Sequence, residues 1–244
     1  MRNRSSQQTW PMLPAAMLLG CLAGCNSTAG QVTGINRALL TSPVVTIDAV
    51  SVNGTLPPKE AWDRALNRFA SYLSGRLVVK PAREITVPVD ANGRLTGSED
   101  IETGGSGPDY ILVILLPKAP DIMRGRYTKY ARGLQVIRYD AEGVGKYDAL
   151  LPRERAWEIV LFHELGHAIG VPSDPSHADA SGHCTNPSCV MYPRPDICSI
   201  LTFIARGWPL DFCDACKSEI DAARNAIPNA SSPAPNKAST RPGD

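Results

Sequence analysis

Apolar and polar positions along the chain follow two different periods. Residues 44–50, VVTIDAV, read as a strand. Trp62, Leu66, Phe69 and Leu73 then recur every three or four residues, after Pro57 and Pro58 and before Gly75, which predicts a helix with a defined start and stop. Residues 76–90 form a further extended segment interrupted at Pro81. The unbroken run DYILVILL at 109–116 suits a central strand buried on both faces, and GLQVIRY at 133–139 predicts another short strand. Pro152 opens a long helical pattern, RERAWEIVLFHELGHAIG, that stops at Gly170. Strands and helices are mixed, so the fold class expected is α/β.

The pattern fails at both ends. Arg2 and Arg4 precede an acid-free apolar run, WPMLPAAMLLGCLAG, too short for a membrane-spanning helix of about 20 residues and suited to a secretory signal. It ends in Leu22, Ala23, Gly24 and Cys25, a tetrad that resembles a bacterial lipobox, in which the cysteine is lipidated and becomes the first mature residue. Asn26 differs from the aspartate that usually retains lipoproteins in the inner membrane, so the expected address is the bacterial cell envelope, anchored to the outer membrane through Cys25. The expected organisation is a signal peptide at 1–24, a tether at 25–42, a catalytic domain at 43–227 and a disordered Pro/Ala/Ser-rich tail at 228–244. Removing residues 1–24 takes away Arg2 and Arg4 and no acid, which moves the formal charge from +1 to −1 and gives no basic face for nucleic acid. A monomer is expected.

Residues 161–193 hold all four histidines of the chain and two of its seven cysteines. His163 and His167 lie four apart on the predicted helix, so their imidazoles project side by side and can hold two corners of a tetrahedral zinc. Glu164 falls where its carboxylate reaches a water beside the metal and not the metal itself, the placement of a general base for peptide hydrolysis. Gly170 then ends the helix three residues after His167.

This HExxH helix with its glycine stop resembles the metzincin zinc peptidases. Most of them place the third histidine three residues after the glycine, where this chain has Ser173; His177, His183, Asp174 and Asp179 are left as candidates in an apparent insertion. The stretch HCTNPSCVM at 183–191 resembles the archaemetzincins, in which the third histidine is followed at once by a cysteine, then four residues, a second cysteine, one residue and the methionine of the Met-turn. That resemblance selects His183 as the third ligand and Met191 as an apolar floor under the site that does not ligate. It also implies a second metal centre built from Cys184, Cys189 and the later pair Cys213 and Cys216. Two disulfides are the alternative, since an exported protein passes through an oxidising compartment. The resemblance runs from Glu158 to Cys216. It implies a metzincin-like fold: a twisted mixed sheet over the active-site helix, an edge strand that holds an extended peptide substrate by backbone pairing, and a small C-terminal part with the Met-turn. Tyr192 receives no catalytic role, Asn186-Pro187 reads as a turn, and Cys198 as a buried apolar thiol. The function expected is zinc-dependent hydrolysis of peptide bonds, endopeptidase or aminopeptidase, with Glu164 as general base. The alternative is a catalytically inert, zinc-stabilised binding lipoprotein of the envelope.

Overall fold

The computed structural model describes residues 34–88, 105, 107–118, 125–129, 135–145, 152–193 and 208–226. In chain order the elements are α1 (Arg37–Thr41), β1 (Val44–Val52), α2 (Lys59–Ser71), β2 (Arg76–Val79), β3 (Arg83–Ile85), β4 (Tyr110–Leu116), β5 (Gly125–Lys129), β6 (Gln135–Asp140), α3 (Ala141–Gly145), α4 (Arg153–Ile169) and α5 (Asp214–Asn225). The six strands form one mixed sheet in the order β2-β1-β4-β6-β5, with β3 also paired to β1. All neighbours are parallel except β5, which runs antiparallel to β6 and closes one edge. The fold is therefore mixed α/β.

The sheet centre follows from the apolar run at 109–116: every residue of β4 is buried, as expected of a strand between two parallel neighbours. Alternation sorts its side chains. Ile111, Val113 and Leu115 join Val45, Ile47, Ile137 and Tyr139 under the helices, while Tyr110, Leu112, Ile114 and Leu116 form a second cluster on the opposite face. Pro81 divides the extended segment into β2 and β3, which pair successive parts of β1, at Val44–Ile47 and at Val50–Val52 respectively.

Helix α2 ends at Ser71 with Tyr72 as its C-cap, a few residues before Gly75, and buries Ala61, Ala65, Leu66 and Phe69. Helix α4 lies against it and is buried along nearly its whole length, Trp157 stacking on Tyr139 of β6 at 4.0 Å between ring centroids. In α4 Glu158 is fully buried and receives Arg64 Nε at 2.7 Å and Arg155 Nη1 at 2.7 Å, with Arg68 Nη1 at 3.0 Å, so the two helices are tied by charge as well as packing.

Two features differ from the sequence expectation. Residues 37–41, assigned to the tether, form α1 and bury Leu39 and Leu40 completely, so the packed unit includes them; one helical turn is too short to show a period. Strand β5 at the sheet edge has no apolar alternation, and the sequence pattern placed no strand at 125–129. The signal segment, Cys25, Cys198 and the tail at 228–244 lie outside the described residues, and among those residues no helix is long and apolar enough to cross a membrane.

Candidate metal centre

Helix α4 delivers His163 and His167 one turn apart, with ring centroids 4.8 Å from each other. Gly170 takes a left-handed conformation, φ 89°, and its N–H returns to Gly166 O and His167 O, so the helix ends sharply and the chain turns back beneath it. The returning loop brings in His183, whose ring lies 5.2 Å from His163 and 5.0 Å from His167. One ligand nitrogen from each of the three lies within 4.8 Å of the others.

The hydrogen bonds fix which nitrogens face inward. His163 Nδ1–H donates to Val190 O at 2.7 Å, since a carbonyl can only accept, and this leaves the lone pair on Nε2. The Nε2 atoms of His163, His167 and His183 are all buried and have no hydrogen-bond partner. Three convergent, buried and unpartnered ring nitrogens would be costly in a packed interior unless they serve a cation. Burial and mutual proximity hold the imidazoles neutral: burial brings His163 down to about 3, helped by His183; burial takes His167 well below its usual value; burial lowers His183 despite the nearby Asp179 charge. Neutral imidazole is the form that binds a metal. The donor set fits zinc: three buried nitrogens brought close together.

Glu164 is buried beside this triad, against the edge strand. A methyl group on Gly125 would fall 2.7 Å from Glu164 Oε1 and 2.9 Å from Val160 Cγ1, so β5 can cross the helix here because residue 125 lacks a side chain. Two residues on, Tyr127 stacks on His167 at 6.3 Å and donates its hydroxyl to Gln135 Oε1. The floor is made the same way. A methyl group on Gly166 would collide with Met191 Sδ and come within 2.9 Å of Phe212 Cε1, and Met191 is wholly buried directly under α4.

The other expected residues fall in distinct places. His177 is turned from the histidine triad: its Nε2 pairs with Glu219, and its Nδ1 is 3.7 Å from Cys184 Sγ. Glu219, on α5, also accepts from Ser173 N and Oγ at 2.7 Å and from Asp174 N at 3.2 Å, tying the loop to that helix. Asp174 and Asp179 accept local N–H bonds within the loop and do not enter the triad. Tyr192 is half-buried and donates its N–H to Cys189 O in the turn after Cys189.

Beside the loop, Cys184, Cys189, Cys213 and Cys216 converge as free thiols, with Cys184 Sγ 3.6 Å from Cys213 Sγ and Cys189 Sγ 3.7 Å from Cys216 Sγ. Disulfide sulfurs lie about 2.05 Å apart, whereas four sulfurs about 2.3 Å from one tetrahedral zinc lie roughly 3.8 Å from each other. The Cys213 and Asn186 N–H groups donate to Cys189 Sγ and Cys184 Sγ, at 3.3 and 3.4 Å. Hydrogen bonds from Cys189 and Cys216 draw Cys184 far below its usual value; by donating to Cys184, Cys189 is pushed up to about 12 and Cys216 is raised too.

The sequence reading missed Gly125, Tyr127, Ser181, Glu219 and Glu158. An acid at 158 within the apolar run AWEIVLF was the one visible signal, because a buried carboxylate requires partners.

No protein-family model matches the chain, and no curated protein does either. Among solved structures it is similar to the archaemetzincin of Archaeoglobus fulgidus, at 15% identity and TM-score 0.40, covering 72% of this chain and 99% of that one. It is also similar to a zinc-dependent peptidase from Methanocorpusculum labreanum, at 13% identity and TM-score 0.41, covering 72% and 98%. A chain of the GM1-bound ECX AB5 holotoxin gives 11% identity and TM-score 0.36, covering 78% and 82%. These likenesses are too weak to carry a function, and the functional reading of this chain rests on its own side chains.

Proposed function

We propose that the protein is a zinc-dependent peptidase of metzincin type, with His163, His167 and His183 as zinc ligands and Glu164 as general base. The observation that carries this reading is the convergence of three buried, unpartnered Nε2 atoms beside a buried glutamate. Zinc held there by His163, His167 and His183 would supply Lewis acidity to a peptide carbonyl and to a water. Glu164 receives the water's proton and returns it to the leaving amine, its carboxylate confined by Gly125 of the edge strand. The backbone of β5, antiparallel to β6 at the sheet edge, is the strand on which an extended peptide would pair. Met191 seals the underside of the helix and excludes water there.

Cys184, Cys213 and Cys216, with Cys189 or His177 as the fourth ligand, would hold a second, structural zinc, the reading the sulfur separations favour over disulfides. Anchoring at the outer membrane through Cys25 belongs to the same proposal and rests on the lipobox-like tetrad alone. A catalytically inert binding lipoprotein would have no need of a carboxylate buried at Glu164, which speaks against it.

The test is hydrolysis of a mixed peptide substrate by the zinc-loaded protein, beside Glu164→Ala. The proposal expects cleavage by the parent, none by the variant, and equal zinc in both. Equal cleavage by both proteins would remove Glu164 from its role; loss of zinc from the variant would make it a ligand.

A further inference from the structure

Two of the three converging histidines stand on a buried helix, but His183 comes from a loop, and a loop ligand needs its own means of orientation. The loop supplies one. Residues 178–184 close into a small hairpin through an isolated bridge between Ala178 and Cys184, with Gly182 in the left-handed region at φ 81°. At its centre the Asp179 carboxylate collects three donors on one oxygen: Ser181 N at 2.8 Å, Ser181 Oγ at 2.7 Å and His183 N at 2.9 Å. Asp179 N–H in turn donates to His183 O at 2.7 Å, so the backbone of the ligand is held from both sides. Ser181 Oγ lies 2.8 Å from His183 Nδ1.

The protons in this chain have a single consistent arrangement. The ionised Asp179 carboxylate can only accept, so the one hydroxyl proton of Ser181 points to it. The Ser181 oxygen therefore accepts from His183 Nδ1–H, and the His183 lone pair resides on Nε2, the atom that faces His163 and His167. Reversing the chain would leave Ser181 Oγ facing the carboxylate without a proton between them. It would also aim an Nε2–H at two other imidazoles. We propose that Asp179 and Ser181 are positioning residues for the third metal ligand: the carboxylate holds the hydroxyl, and the hydroxyl holds His183 in the tautomer and orientation that present Nε2 to the metal. For His163 the same task falls to the Val190 carbonyl. The inference rests on the proposed histidine metal centre and adds two residues that touch neither metal nor substrate.

Removing such an orienting partner typically weakens metal binding by about 10–100-fold. The test is Zn²⁺ affinity of the histidine centre, by chelator competition, in the parent, Ser181→Ala and Ser181→Thr. Co²⁺ spectra are recorded alongside, because thiolate charge-transfer bands report the cysteine centre separately. Ser181→Ala should lose affinity at the histidine centre within that range while the thiolate bands stay unchanged, and Ser181→Thr, which keeps the hydroxyl, should restore it. Parent-like affinity in Ser181→Ala, or equal loss in Ser181→Thr, would overturn the positioning role. A parent protein that takes up no metal at its histidines would instead overturn the metal reading itself.

Discussion

Glu158→Ala should destabilise the fold by about 3 kcal/mol, a cost set by the charges that the carboxylate faces. Its side chain is 0% exposed on α4, five residues before His163, with Arg64 at 2.7 Å, Arg155 at 2.7 Å and Arg68 at 3.0 Å. Deleting one member of a buried ion pair costs about 3–5 kcal/mol, because the remaining charge is left uncompensated. Here three cations would be left facing one another, but Arg64, Arg68 and Arg155 are 39, 25 and 39% exposed, so water reaches them and the lower end of that range applies. For a unit of this size about 2–4 °C of melting temperature accompanies each kcal/mol, which gives a loss of about 6–12 °C. The effect has a pH signature. Burial pushes the Glu158 carboxyl up, but hydrogen bonds from Arg64 and Arg155 and the charges of Arg155 and Arg68 outweigh it and leave the group below its usual 4.5. A depressed carboxylate contributes stability above its unfolded value and loses it as pH falls through the folded one. Thermal melts of parent and variant, from neutral pH into the acid range, should show a gap that narrows below 4.5. A loss under about 2 °C, or a gap that stays constant into acid, would refute the reasoning.

Gly166→Ala should be destabilising although alanine favours helices by about 1 kcal/mol, because the methyl group meets Met191 Sδ and overpacking costs about 1–3 kcal/mol. In a Met191→Ala background much of that penalty should vanish, and urea melts giving additive effects would show that Met191 is not beneath the helix. At the proposed third ligand, His183→Ala should weaken zinc binding at the histidine centre by more than about 100-fold, beyond the range of an orienting partner. His177→Ala should change it little, since that ring faces Glu219 and Cys184; zinc titrations with the opposite order would reverse the assignment.

The parts legible in the sequence are those with a strong period. An unbroken apolar run marked β4, and a 3.6-residue stripe with proline and glycine at its ends marked α2; proline and glycine likewise bounded α4. Strand β5 was not legible, because Gly-Arg-Tyr-Thr-Lys has the composition of a surface loop and its purpose lies in the missing side chain at Gly125. Spacing left His177 and His183 as rivals. Three dimensions separate them, since Glu219, forty-two residues later on another helix, turns His177 aside, while Ser181 turns His183 inward. Local patterns record which residues share an element, and a long-range hydrogen bond such as that of His177 with Glu219 leaves no local pattern.

The central claim is tested most directly by the zinc content of the folded parent and of His167→Ala, measured side by side by elemental mass spectrometry. With a histidine centre and a separate thiolate centre, the parent should carry about two zinc ions per chain and the variant about one. Equal zinc in the two proteins would contradict the histidine centre.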